Sequence, residues 1–240
     1  MLPKTGEELL WAERVWTSPT GRTWVGEAAS VAKSLTPAQR DGLELRHIEA
    51  LRLARGTPWI GMGTGELLSE VARRQGRRQI HVRSIDQIHR QGPNRERVTD
   101  WQDRLSWGDL LAIVMIDELA RRDVNAAKFV EFAMLDQGDQ STEYGGALMA
   151  SGDGGVVVRL FPPRPSERAG DERFVASREM LEQTGQALAL FHYHVQPKRN
   201  RDVAGPSRGD LLTASLLGRT SLVLTMVRPG VLNLDVYFPH

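Results

Sequence analysis

The chain has 240 residues, 40% of them hydrophobic and 25% charged, and a formal net charge of +1. These are ordinary globular proportions, and they give no global electrostatic case for nucleic-acid or membrane-surface binding. With no cysteine at all, the chain is excluded from thiol catalysis, cysteine zinc fingers and iron–sulfur clusters, and it fits a reducing compartment.

The opening segment MLPKTGEELLWAERVW has no apolar stretch of signal-peptide type, and the longest apolar run is only Leu110 to Ile116. A membrane-spanning helix needs roughly 18 apolar residues in succession. A cytoplasmic protein is expected.

The length suits two domains, and residues 1–140 read as mainly helical. Gly6 to Trp16 is amphipathic. Thr36-Pro37-Ala38-Gln39 is a strong helix start, with Thr as cap, Pro at the first helical position and Gln three residues after the cap. The pattern predicts a helix from there to about Ala54, with Leu43, His47, Ile48 and Leu51 on one face and Gly56-Thr57-Pro58 as its stop. Gly61-Met62-Gly63-Thr64-Gly65-Glu66 lacks the Lys-Ser/Thr of a phosphate loop and reads as the start of a helix over Thr64 to Arg74. Gln79 to Ile85 alternates like a short strand, and Gln91 to Asp100 reads as a loop. Ser106 caps a helix over Trp107 to Arg121, and Asn125 is expected to cap another over Ala126 to Leu135. The polar break Asp136 to Ser141 marks the expected domain boundary. No internal repeat or heptad array is present.

From residue 141 the pattern changes. Tyr144 to Ala150 and Val156 to Phe161 are strand-like and flank the turn signal Ser151-Gly152-Asp153-Gly154-Gly155, so they predict a hairpin. A Pro-rich loop follows, then a helix over Arg173 to Gln183 and an apolar strand over Ala187 to Val195. After the basic stretch from Gln196 to Gly205, Ser207 is placed to cap a helix to about Leu217. Ser221 to Val227 and Val231 to Phe238 read as two closing strands.

The chemistry-bearing residues lie in this second half. His192-Tyr193-His194 ends the apolar strand. On a strand, residues i and i+2 share a face, so the two imidazoles can converge on one ion. In Ser207-Arg208-Gly209-Asp210 two readings compete: a capping box, or an aspartate aimed at a metal with a serine hydroxyl free to donate. Glu143 opens the first strand. A carboxylate there suits proton transfer to and from water activated by a metal with three protein ligands. His47 reads as helix packing, and His81 and His89 have no evident ligand partner. Asp202 is a lesser alternative to Asp210.

Taken together, Glu143-Tyr144-Gly145-Gly146-Ala147-Leu148, His192-Tyr193-His194 and Ser207-Arg208-Gly209-Asp210 resemble the JAB/MPN (JAMM) metallopeptidase family. That family's pattern is a Glu at the start of an early strand, then His-x-His, then Ser-x-x-Asp. The resemblance covers residues 141–240. Three positions depart from it: Val195 stands where a Pro is usual, Tyr193 where a small hydroxyl residue is usual, and the loop between His194 and Ser207 is longer.

The resemblance implies an α/β (α+β) fold with an MPN-like mixed sheet flanked by helices and preceded by the helical region 1–140. It implies Zn2+ held by His192, His194 and Asp210, Glu143 as general acid/base and Ser207 as the donor on the oxyanion side. The activity implied is that of a zinc-dependent peptidase or isopeptidase acting on a protein or peptide, including the tail of a ubiquitin-like protein. A catalytically silent MPN-like scaffold and a DNA-repair-associated JAB-like protein are the alternatives. Neither nucleic acid nor membrane is an expected partner, and the sequence does not set an oligomeric state.

Overall fold

The computed structural model describes residues 1–76, 81–82, 94–95, 97–151, 155–170, 173–195 and 204–239. Among them are nine α-helices and a five-stranded mixed sheet, a mixed α/β fold in which most of the helices precede the sheet. No helix among the described residues is long and apolar enough to cross a membrane.

Helix α1 (Gly6–Thr17) starts in a complete capping box between Thr5 and Glu8, and it buries Trp11 and Val15. Helix α2 (Pro19–Ser34) was not anticipated, although its signals are in the sequence. Ser18 caps it, Pro19 occupies its first turn, and Trp24, Ala28 and Val31 recur at helical spacing and are buried.

The single helix expected from Thr36 to Ala54 is broken. The predicted cap forms, but α3 (Pro37–Arg40) lasts one turn. Gly42 then adopts φ +72, a conformation that L side chains rarely tolerate. A 3-10 turn over Leu45–His47 leads into α4 (Ile48–Leu53). The turn is held by His47. Its Nδ1 accepts from Glu44 N at 3.0 Å, and its Nε2 lies 2.9 Å from Asp109 Oδ1. Arg46 also donates to Asp109 Oδ1, while Asp109 Oδ2 accepts from Ser106 N and Oγ. One buried carboxylate thus caps one helix and anchors the approach to another. Burial alone would raise the Asp109 carboxyl. The His47 hydrogen bond and the Arg46 charge overrule it and hold the group well below the usual carboxylate range.

Helices α5 (Thr64–Gln75) and α6 (Trp107–Ala120) match their expected ranges closely, and Ser106 caps α6 in a full box with Asp109. Between them, β1 (His81–Val82) pairs with β2 (Asn94–Arg95), and Val98–Trp101 forms a 3-10 turn. The remainder of the predicted strand over Gln79 to Ile85, and residues 91–93 and 96 of the predicted loop, lie outside the described residues, while the rest of that loop holds β2 and the start of the 3-10 turn. Asn125 does not cap α7. That helix runs Asp123–Gly138, and Asn125 sits buried in its first turn. Its amide donates to Leu119 O at 2.9 Å and Val156 O at 3.2 Å, tying α6 to the sheet.

The second half follows the predicted order: β3 (Gly145–Ala150), β4 (Val156–Leu160), α8 (Arg178–Gln183), β5 (Ala187–His194), α9 (Arg208–Leu217), β6 (Ser221–Arg228) and β7 (Val231–Tyr237). Helix α8 starts five residues later than expected because Ser177 is its cap, accepting from Met180 N. The turn glycines 152–154 and the basic residues 196–203 lie outside the described set. Spatial order in the sheet is β4-β3-β5-β6-β7. Only the β5–β6 pair is parallel; the others are antiparallel.

Strand β5 is central and buried along its whole length. Ala189, Phe191 and Tyr193 join one apolar cluster that also takes in Trp11, Trp107 and Phe129 from the helices. Phe129 and Phe191 meet edge-on at 5.3 Å between ring centroids, as do Phe191 and Tyr193 at 5.5 Å. The Tyr193 hydroxyl donates to Phe129 O at 3.0 Å. A Tyr193→Phe variant should keep the packing and lose this hydrogen bond. The expected loss is about 1 kcal/mol of unfolding free energy in urea, with an unchanged dependence on denaturant concentration. A loss several times larger would mean that the hydroxyl holds more than one contact.

A candidate metal centre on the sheet face

Alternation along β5 sends Tyr193 into the helical layer and its two neighbours to the opposite face. There His192 and His194 are both buried, and their Nε2 atoms lie 3.1 Å apart. Their rings are 4.9 Å apart at the centroids and inclined at 71°.

Helix α9 begins beside them. Asp210 is three residues past the cap, with Oδ1 3.2 Å from His192 Nε2 and Oδ2 3.6 Å from His194 Nε2. Oδ2 also accepts from Ser207 N at 2.6 Å, and Asp210 N donates to Ser207 Oγ at 3.2 Å. The capping box and the site are therefore not competing readings. The aspartate has two oxygens, and the reciprocal cap aims the carboxylate at the imidazoles. Ser207 Oγ accepts in this cap, which leaves the hydroxyl proton able to donate elsewhere.

Glu143 comes from the other side. It is buried, and its ligand atom and those of His192 and His194 all lie within 4.8 Å of one another. Its position is fixed by its neighbours. Tyr144 N donates to Asp136 Oδ1 at 2.6 Å, Tyr193 N donates to Tyr144 O at 3.1 Å, and Gly145 stands opposite His192 across the ladder. Both glycines of the Glu143 segment are required by space. A Cβ on Gly146 would come within 2.1 Å of Arg159 O and 2.5 Å of Phe191 Cζ. One on Gly145 would lie 2.2 Å from Phe174 Cε2.

The geometry can be tested against the needs of an ion. Nitrogen and oxygen ligands at about 2.0–2.1 Å in a tetrahedron stand about 3.3–3.4 Å from one another. His192 Nε2 lies 3.1 Å from His194 Nε2 and 3.2 Å from Asp210 Oδ1, both near that value, while the 3.6 Å approach to His194 Nε2 is made by the other oxygen, Oδ2; the ligand atoms of Glu143, His192 and His194 also converge within 4.8 Å. Two imidazole lone pairs and a carboxylate are also the donor types zinc takes. Burial by itself raises the Asp210 carboxyl. The His192 hydrogen bond, the His192 and His194 charges and Ser207 N–H outweigh it and hold the group well below its ordinary range. These partners favour the carboxylate form of Asp210. All five residues singled out from the sequence, Glu143, His192, His194, Ser207 and Asp210, meet at this one place.

Two further residues were not anticipated. The Phe174 ring stacks on the His192 imidazole, 5.0 Å between centroids and 12° between planes. Phe174 lies in a polar stretch with no periodic signal. Tyr237, on β7, is buried, and burial and then the charges of Asp210 and Glu143 push its phenol far above the usual value. It stays a neutral hydroxyl. Its place became visible only once β7 was set beside β6.

Compared with models of known protein families, with curated proteins and with solved structures, the chain has no match. The functional reading therefore stands on the geometry and on residue chemistry.

An Asp210→Asn variant separates cap from ligand, because the amide oxygen can still accept from Ser207 N. Its unfolding free energy should stay within about 1 kcal/mol of the parent, while Zn2+ affinity, read by competition with a chromogenic chelator, should fall by more than about tenfold. Unchanged affinity would remove Asp210 from the ligand set.

Proposed function

We propose that the chain is a zinc-dependent peptidase or isopeptidase of the JAB/MPN (JAMM) kind, with His192, His194 and Asp210 holding the ion. The observation that carries this reading is the convergence of two buried imidazoles and the Asp210 carboxylate at separations of 3.1, 3.2 and 3.6 Å, with the buried Glu143 carboxylate within 4.8 Å of both imidazoles.

Zinc, when bound, supplies Lewis acidity that makes water nucleophilic near neutral pH and polarises an amide carbonyl. The remaining work falls to the chain. Glu143 accepts the proton that the attacking water sheds as its oxygen bonds to the amide carbon. It then returns that proton to the nitrogen as the carbon–nitrogen bond breaks, so the products are a carboxylic acid and an amine. Ser207 donates a hydrogen bond from its hydroxyl to the carbonyl oxygen as negative charge gathers there. The buried, low-dielectric wall of β5 strengthens both interactions.

The expected substrate is a protein or peptide, including the tail of a ubiquitin-like protein, and the expected compartment is the cytoplasm. The absence of cysteine supports the latter. The sequence resemblance over residues 141–240 supports the family reading.

Elemental analysis of the purified protein tests the reading. One zinc per chain is expected in the parent and none in the His192→Ala/His194→Ala double variant. Glu143→Gln should keep its zinc and lose about 10²–10⁴-fold in turnover of an isopeptide-linked ubiquitin-like substrate. A parent protein with no zinc would favour the silent scaffold, and a fully active Glu143→Gln would end the role given to that carboxylate.

A further inference from the structure

The geometry points to Phe174 as a positioning residue of the metal centre: its ring fixes the plane of the His192 imidazole, and with it the direction along which Nε2 meets His194 and Asp210. The inference rests on the metal-centre reading above.

A histidine on a strand has a broad, roughly two-fold torsion about the bond to its ring. Tilting the ring out of its plane about that bond carries Nε2 away from His194 and Asp210. A ligand imidazole therefore needs something besides the ion to set its plane. That partner is usually a carboxylate or carbonyl on the other ring nitrogen. Here a second ring supplies the constraint: Phe174 stacks nearly parallel to His192, at 12° and 5.0 Å. An offset stack of this kind resists rotation, because turning the imidazole drives its edge into the neighbouring face.

A separate observation leads to the same residue. Gly145 is paired with His192 across the β3–β5 ladder. A Cβ there would lie 2.2 and 2.3 Å from Phe174 Cε2 and Cζ. The phenyl ring thus occupies the space a side chain on β3 would take. The glycine beside Glu143 and the aromatic ring from the segment before α8 fit each other and nothing larger. Phe174 comes from outside the sheet, in residues 173–177 with no regular structure, so its ring forms an apolar wall over one side of His192.

A residue that merely filled space would change stability and leave the ion's surroundings alone. Two variants of the full chain distinguish the two roles, with Zn2+ affinity measured by chelator competition and the visible absorption of the Co2+-loaded protein as readouts. Phe174→Leu removes the ring face and should weaken Zn2+ binding about 10–100-fold and shift the Co2+ bands. Phe174→Tyr keeps the face and should restore both to the parent values. Phe174→Met, which keeps bulk without a ring face, replaces the leucine variant if circular dichroism finds the latter unfolded.

Parent-like affinity and an unshifted Co2+ spectrum in folded Phe174→Leu or Phe174→Met would overturn the inference while leaving the metal centre intact. Failure of the parent itself to take up either ion would overturn both.

Discussion

Strand β5 is buried on both faces, and each face asks for something different. One face closes the apolar core, where Phe191 and Tyr193 pack against Phe129 and the helical layer. The other carries the two imidazoles. A buried histidine is costly unless its nitrogens find partners, so the second face is habitable only because Asp210 and Glu143 are brought to it. The helices of the first half matter to the site for this reason. Helices α6 and α7 back the strand that presents the site, and α1 packs against α9, which carries Asp210; these are mechanical roles and do not require the helices to touch a substrate.

Asp210 shows how local and long-range forces are joined. A cap at a helix start is worth about 1 kcal/mol and is decided within four residues. Here that local interaction, between Ser207 and Asp210, also orients a carboxylate toward histidines from a different element. Anything that binds the folded site and not the unfolded chain stabilises the fold by mass action, about 4 kcal/mol at a thousandfold excess over its dissociation constant. Such a ligand would tighten the beginning of α9 and the end of β5 together.

Much of this was legible from residues alone, for physical reasons that can be named. Helix starts with a hydroxyl cap and an acid or amide three residues on (Thr36, Ser106, Ser207) formed as expected, because the signal is local. The strands of the second half were legible because β-branched and apolar runs lie between strong turn formers. The errors arise where a tertiary contact overrides a local pattern. Gly42 breaks a helix that periodicity favoured, and the Glu44, His47 and Asp109 contacts hold the break. Asn125 resembles a cap but spends its amide on Leu119 and Val156. At the site, His192, His194 and Asp210 could be found by spacing. Phe174 and Tyr237 could not, because nothing in their own neighbourhoods marks them and only the sheet order brings them close.

Interleaving the two faces along β5 also affects how the chain finds its fold. If β5 paired with its neighbours one residue out of step, every side chain would change sides. Two imidazoles would enter the oily interior without partners, and two bulky aromatic rings would be thrust at a carboxylate. Neither exchange is tolerable, so the misaligned state is penalised twice. The histidines and the tyrosine between them act together as a key that turns in only one orientation, and that guards the pairing of the central strand as firmly as any turn at its ends.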